Sequence, residues 1–187
     1  LYEEGTRLSE LREKQALKEV SEDDILLFFR TMRSKLTDAG FIHYEISNFS
    51  KPGSHPLHNT SYWTGEKYLG CGASAHAYDG ISRQWNVASL QQYVSGIEKQ
   101  IPEFHKESLD VATRYNEFII TSLRTMWGLS VNDLTDRFGK ELADYCMENA
   151  RPYIRNKKIR LTNDRLKITE EGLFISDAII SDIFKVA

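Results

Sequence analysis

Cysteine is scarce in this chain. Cys71 and Cys146 are its two cysteines among 187 residues. Two cysteines are too few for the disulfide framework of a small secreted domain and too few for a thiolate metal cluster. We therefore predict a reducing, cytoplasmic environment, and we expect both cysteines to be small buried side chains.

Long apolar runs and strong charge are also absent. No stretch approaches the roughly 20 apolar residues that a membrane-spanning helix needs, and no signal peptide is visible. The net charge of -3 gives no general attraction to nucleic acid or to acidic membranes. With 41% apolar and 27% charged residues, the composition is typical of globular proteins and not of long disorder. The chain opens with Leu1 and not with methionine, so we expect either an internal piece of a longer protein or a trimmed chain.

The first 100 residues predict alternating helices and strands. A short helical pattern covers residues 6–17, and a clearer helix starts after Ser21, a good N-cap, and stops at Gly40. A strand over residues 41–47 follows, which gives the order typical of α/β folds. Further predictions are a loop at residues 51–53, a short buried strand at residues 68–72 and a helix capped by Asn86 that runs to about Lys99.

After residue 101 the pattern changes to helices around one hairpin. Apolar spacing predicts helices over residues 109–126, 130–138 and 142–154, a hairpin over residues 158–168 around Asn163-Asp164, and a last helix from Thr169 to Phe184. This order resembles a winged-helix arrangement, and we place a domain boundary near residues 98–106. Basic residues on the hairpin suit either a nucleic-acid wing or a solvated face, and the many acids favour the solvated face.

The candidate site lies between residues 41 and 86, which contain His55, His58 and His76. A neutral imidazole is a good axial ligand for heme iron, so His58 is a candidate metal ligand. If the segment HNTSYW is helical, His58 and Tyr62 share one face, and Tyr62 and Trp63 offer flat apolar surface to a porphyrin. The alternative is that both aromatic residues belong to the core and that His58 bonds a loop carbonyl.

Two further segments suit a close-lying ligand. Residues 70–76 contain Gly72 and Ala73, whose small side chains allow a cofactor to approach, although the spacing matches neither a phosphate loop nor a dinucleotide fingerprint. Close packing of a strand end explains them equally well. Glu45, Ser47 and Asn48 lie near the end of the predicted strand, where polar side chains commonly face a ligand. The alternative is that Ser47 and Asn48 cap the start of the loop.

Four ordered motifs resemble one known family. YEISNFSKPG (44–53), HNTSYW (58–63), YLGCGASAH (68–76) and RQWN (83–86) are similar to segments of the oxygen-independent coproporphyrinogen III oxidase-like radical SAM proteins. The HNxxYW motif points to the heme chaperone branch of that family. The resemblance covers essentially the whole chain and is weaker over the first 20 residues.

The resemblance implies roles for particular residues. It makes His58 the heme-binding residue, with Tyr62 and Trp63 as packing partners. It places Ser50, where the family usually has alanine, beside S-adenosylmethionine, and we extend that prediction to Asn48, Gly72 and Ala73. A second small departure is Ala77, where the family's AHS segment has serine.

The family's CxxxCxxC motif, which holds a [4Fe-4S] cluster, is absent from the sequence. The resemblance implies a parent protein that binds the cluster and S-adenosylmethionine, and we expect these 187 residues alone to be inactive as an enzyme. We predict an α+β chain in which residues 1–100 are the last part of an open α/β barrel. Residues 101–187 are the predicted helical, winged-helix-like C-terminal domain.

The function implied is that of a heme chaperone, which binds heme or a related porphyrin and passes it to an acceptor protein. The alternative within the family is coproporphyrinogen III oxidation by radical decarboxylation. A third class is a winged-helix module that binds nucleic acid or protein, although the composition predicts no nucleic-acid partner. Because part of the barrel would be missing, we also expect self-association through uncovered strand edges.

Overall fold

The computed structural model describes residues 4–14, 16–17 and 20–186. The chain divides into two compact units, with the division between Phe41 and Ile42. None of the described helices is long and apolar enough to cross a membrane.

The first unit contains helices α1 (Arg7–Glu13) and α2 (Glu22–Asp38). The predicted cap of α2 is confirmed, since Ser21 Oγ accepts a hydrogen bond from Asp24 N at 3.1 Å. Three acidic residues occupy the first turn of α2, where their negative charges interact favourably with the positive end of the helix dipole. No residue of α2 is buried, and four of its large apolar side chains are exposed: Ile25, Leu27, Phe28 and Met32.

The second unit begins with two small sheets and two helices. In chain order these are β1 (Ile42–Glu45), β2 (Asn48–Ser50), α3 (Leu57–Thr64), β3 (His76–Tyr78), β4 (Ser82–Asn86), α4 (Leu90–Glu98) and β5 (Phe104–Ser108). Strands β1 and β2 form an antiparallel hairpin, and β4 lies between β3 and β5 in an antiparallel sheet. Strand β5 begins within residues 98–106, where we placed a domain boundary, and it pairs with β4. That boundary stays a prediction.

The predicted strand over residues 41–47 turns earlier than expected. The chain reverses at Ile46 and Ser47, because the Glu45 carboxylate accepts a hydrogen bond from Ser47 N at 2.9 Å. Asn48 therefore starts the return strand β2, which sequence analysis placed in a loop.

Two other local predictions are wrong. Residues 68–72 form no strand: Tyr68 makes an isolated bridge to Tyr78, and Leu69 is 82% exposed. Asn86 does not cap a helix but ends β4, and Ser89 caps α4 by accepting from Gln92 N. The Asn86 amide instead donates to Gly72 O at 2.9 Å, a long-range contact that no local pattern encodes.

The rest of the second unit has the predicted winged-helix-like order. It contains α5 (Val111–Leu123), β6 (Leu129–Ser130), α6 (Val131–Phe138), α7 (Lys140–Arg155), β7 (Ile159–Thr162), β8 (Arg165–Ile168), α8 (Glu170–Leu173) and α9 (Ser176–Ile183). Asn163 and Asp164 form the hairpin turn with φ of 48° and 69°. The last predicted helix is interrupted between α8 and α9, and α7 continues through Pro152.

The α+β class is confirmed, and every strand pairing among the described residues is antiparallel. The main core lies among α5, α6, α7, α9 and the β6-β8-β7 sheet. Its most buried members include Tyr115, Ile119, Leu123, Leu134, Cys146, Ile159, Leu166, Ile179 and Ile183. Burial raises the pKa of the Cys146 thiol to about 11.

The predicted burial of Cys146 is confirmed, whereas the predicted burial of Cys71 is wrong. Cys71 is exposed, because it belongs to the turn that replaces the expected strand at residues 68–72.

A buried ion pair joins β1 to the end of α5. Arg124 Nε and Nη2 lie 2.9 Å and 2.8 Å from Glu45 Oε1, and the Glu45 side chain is 1% exposed. Two backbone hydrogen bonds run beside the pair, from Ile46 N to Arg124 O at 3.1 Å and from Met126 N to Tyr44 O at 3.0 Å. Arg124 also reaches Asp177 at 3.2 Å, but that carboxylate is 88% exposed.

We predict that Glu45→Gln destabilises the chain by about 3–5 kcal/mol, because it leaves the Arg124 charge without its buried partner. Asp177→Asn, which removes the exposed partner of the same arginine, should change the stability by less than about 1 kcal/mol. Urea unfolding followed by circular dichroism measures both. Equal effects of the two substitutions would contradict the assignment of Glu45 as the main partner.

Gly128 lies in a left-handed conformation with no room for a side chain. Its φ is +72°, and an added Cβ would lie 2.4 Å from Leu166 O on the neighbouring strand. Gly53 has the same φ of +72° in an open loop, with nothing within 4 Å of an added Cβ.

Gly53→Ala should therefore cost about 1–2 kcal/mol from backbone strain alone. Gly128→Ala should cost at least about 2 kcal/mol more, since the β8 backbone has to move away. The comparison requires only the midpoint and slope of urea unfolding for each variant. A loss no larger for Gly128→Ala than for Gly53→Ala would show that the winged-helix sheet adjusts freely at this point.

Candidate functional site

Helix α3 carries the three predicted heme-contacting residues. It ends at Gly65, whose φ of 71° is left-handed. His58 and Tyr62 are exposed on it, and Trp63 is partly buried. The predicted shared face of His58 and Tyr62 is confirmed: His58 Nε2 lies 3.2 Å from the Tyr62 hydroxyl, and the rings meet edge to face at 5.1 Å.

An aromatic series extends from this face toward the β3-β4-β5 sheet. The rings of Tyr62 and Tyr68 lie 4.9 Å apart at 77°, an edge-to-face contact. Tyr68 then lies 6.1 Å from Tyr78 on β3. The sequence places these tyrosines in separate motifs, and the structure brings them together.

The inner face of α3 is attached to the rest of the unit. The Asn59 amide donates to the Tyr44 hydroxyl at 2.8 Å, and Tyr44 is 1% exposed. The Arg124 guanidinium lies 5.6 Å from the centre of the Trp63 ring. Sequence analysis identified neither Asn59 nor Arg124 as part of the site, although Asn59 belongs to the HNxxYW motif.

The four residues predicted to face S-adenosylmethionine are engaged within the chain in two separate places. Ser50 Oγ lies 2.7 Å from His55 Nδ1, and the Asn48 amide donates to the Glu45 carboxylate. Gly72 N donates to the Tyr93 hydroxyl at 3.0 Å. Ala73 is partly buried beside Gly72, and within the described part of the chain no hydrogen bond joins either residue to Asn48 or Ser50. Their role toward that cofactor stays a prediction.

The small residues of segment 70–76 serve two different purposes. A Cβ at Gly70 would lie 2.1 Å from His76 O, so this glycine admits the chain's own backbone. At Gly72, φ is +113° and nothing lies within 4 Å of an added Cβ. The packing interpretation therefore holds at Gly70, whereas Gly72 borders open space.

A groove of about 690 Å³ lies between the end of α3, the β3-β4 hairpin, α5 and α6; we call it the α3–α5 groove. Its volume falls within the range of small-molecule sites. Its aromatic lining residues are Tyr62, Trp63, Tyr68, Tyr78, Phe118, Trp127 and Phe138. Helix α5 presents Arg114, Glu117, Phe118 and Thr121 to it, at the spacing of one helical face.

Charged side chains are concentrated in this groove. Arg83 and Glu117 form an ion pair at 2.6 Å, and burial together with Glu117 raises the pKa of Tyr78. The Arg137 guanidinium lies 4.9 Å from the centre of the Phe118 ring. Sequence analysis missed this groove because its residues come from distant segments.

The residues of the described structure contain no group of three or more His, Cys, Asp or Glu side chains that could hold a metal ion. Cys71 and Cys146 are both free thiols. The residues of this chain therefore do not fit an iron–sulfur cluster, in agreement with the absence of CxxxCxxC from the sequence.

Residues 109–175 match the model of the HemN C-terminal domain. Heme chaperone HemW of Mycobacterium tuberculosis is 28% identical over 182 residues, which cover 96% of this chain and 44% of that protein. Heme chaperone HemW of Bacillus subtilis is 34% identical over 115 residues, or 61% of this chain and 30% of that protein. The chain thus spans less than half the length of these relatives.

A solved structure has the same fold. The coproporphyrinogen III oxidase HemN of Escherichia coli, a radical SAM enzyme, superposes with a TM-score of 0.68 over 89% of this chain and 42% of that chain, at 17% identity. Residues 109–175 thus match the HemN C-terminal domain, and nearly the whole chain aligns with a HemW heme chaperone, so the chain is similar to the radical SAM proteins of HemN and HemW type.

Proposed function

We propose that this chain is the C-terminal part of a radical SAM heme chaperone that binds heme through His58 and transfers it to an acceptor protein. The observation that carries the proposal is the position of His58. Its imidazole is exposed on α3 beside the exposed Tyr62 ring, so a flat molecule can approach both groups from solvent. The relatives named heme chaperone support the same function.

Heme is the cargo in this proposal, and this chain supplies a histidine ligand and aromatic surface. Tyr62 offers its ring beside the iron ligand. Trp63 is held from within by Arg124, so it fixes the helix that presents His58. S-adenosylmethionine and a [4Fe-4S] cluster belong to the full-length protein, where the cluster would supply radical chemistry; this chain lacks the cysteines to hold it.

A second candidate function is coproporphyrinogen III oxidation, which the fold shared with HemN favours. Carbon dioxide release from coproporphyrinogen by the reconstituted full-length protein would support the oxidase over the chaperone.

A winged-helix nucleic-acid module is disfavoured by the net charge of -3 and by α7, whose surface mixes acids and bases. Self-association stays a prediction, and the exposed apolar side chains of α2 are consistent with it.

His58→Ala should abolish the shift of the heme Soret band that the 187-residue chain produces on titration with ferric heme, because the axial imidazole is lost. His105→Ala is the matched control: His105 is also exposed, but it lies on β5 beside Trp85 and away from α3. We expect the control to titrate like the unchanged chain. Identical spectra for the His58→Ala and unchanged chains would eliminate His58 as the ligand.

Tyr62→Phe tests which imidazole nitrogen binds iron. The Tyr62 hydroxyl lies 3.2 Å from His58 Nε2, so coordination through that atom must break this contact. The substitution keeps the ring and removes the hydroxyl, and it should raise heme affinity about two- to tenfold, the worth of one modest hydrogen bond. Weaker heme binding by Tyr62→Phe would instead show that the hydroxyl itself contributes to the complex.

A further inference from the structure

We propose that the α3–α5 groove binds the carboxylate groups of a flat aromatic ligand, and that Arg114 and Arg137 are the residues that recognise them. The inference rests on the proposed function in that it takes the ligand to be a tetrapyrrole carrying propionates. The groove and the exposed His58 face are continuous through Tyr62, which contacts His58 and also lines the groove.

The charge of the groove supports an anionic ligand. Four arginines line it (Arg83, Arg114, Arg137 and Arg165) against three carboxylates (Glu66, Glu117 and Asp133). Within the described part of the chain, the one ion pair among these lining side chains joins Arg83 to Glu117. Arg114, Arg137 and Arg165 therefore form no ion pair there, and the carboxylate that acts electrostatically on Arg114 is Asp110, outside the lining of the groove. A guanidinium beside apolar walls is well suited to bind a carboxylate through two parallel hydrogen bonds.

The walls of the groove support a flat, apolar body for that ligand. Phe118 lies on α5, and its ring packs against that of Phe138 on α6, with 5.7 Å between the ring centres. It therefore joins the α5 side of the groove to the α6 side. Arg137 covers the Phe118 ring at 4.9 Å, which holds the guanidinium at the groove surface. Tyr78 and Trp127 add further aromatic surface to the lining. Aromatic walls with cations at the side match a planar ring system with acidic substituents.

The test uses iron-free porphyrins, so that no bond to His58 can form. The 187-residue chain is titrated with protoporphyrin IX, which carries two propionates, and with its dimethyl ester, and binding is followed by porphyrin fluorescence. We expect the diacid to bind about tenfold more tightly than the ester, since each charge-assisted hydrogen bond is lost on esterification. Equal binding of the two porphyrins, or binding of neither, would overturn the proposal.

Arg114→Gln and Arg137→Gln should each reduce that preference several-fold, whereas Arg114→Lys should retain part of it because the charge is kept. Arg151→Gln is the control, because this substitution also removes one positive charge. Arg151 is exposed on α7 and lies outside the lining of the groove. An undiminished preference in both glutamine variants would overturn the assignment. Failure of heme to respond to His58→Ala would instead refute the iron ligand, because the porphyrin preference does not depend on it.

Discussion

The buried ion pair of Glu45 and Arg124 is the contact on which the second unit depends. An isolated buried carboxylate is strongly unfavourable, so Glu45 requires the guanidinium and the backbone N–H of Ser47 that it receives. The same guanidinium lies against Trp63 and reaches Asp177. One arginine at the end of α5 therefore links the β1 hairpin to the inner face of α3, and its contact with the exposed Asp177 of α9 adds little.

This constraint divides the residues of the HNxxYW motif between two tasks. Asn59 and Trp63 face inward, toward Tyr44 and Arg124, and hold the helix in place. His58 and Tyr62 are exposed and contact each other, and Tyr62 also contacts Tyr68. The motif thus has an anchoring side and an exposed side, and the exposed side is the one to which the proposed heme contact is assigned. Because Arg124 lies over the Trp63 ring, the proposed packing of a porphyrin on this partly buried side chain is restricted to the part that remains exposed.

Local chemistry explains which parts of the fold were predictable from sequence. Ser21 and Ser130 cap helices and Asn163-Asp164 turn a hairpin because those effects act within a few residues. Asn86 and Cys71 were misassigned because their surroundings come from distant segments: the Asn86 amide bonds Gly72 instead of a helix end. Helical spacing predicted the shared face of His58 and Tyr62, and the HNxxYW resemblance implied their role toward heme. Arg114 and Arg137 required the packing of α5 against α6 to be known.

The proposed site combines an exposed histidine as metal ligand with a groove that would bind carboxylates, and this combination suits a protein that releases its cargo. An exposed histidine can be replaced on the iron by a ligand from an acceptor without unfolding any element. Carboxylates held in the groove would keep the porphyrin oriented while that exchange takes place. Because Tyr62 borders both places, its hydroxyl can return to His58 Nε2 once the iron has left. In this arrangement the groove supplies orientation, and the exposed imidazole allows transfer.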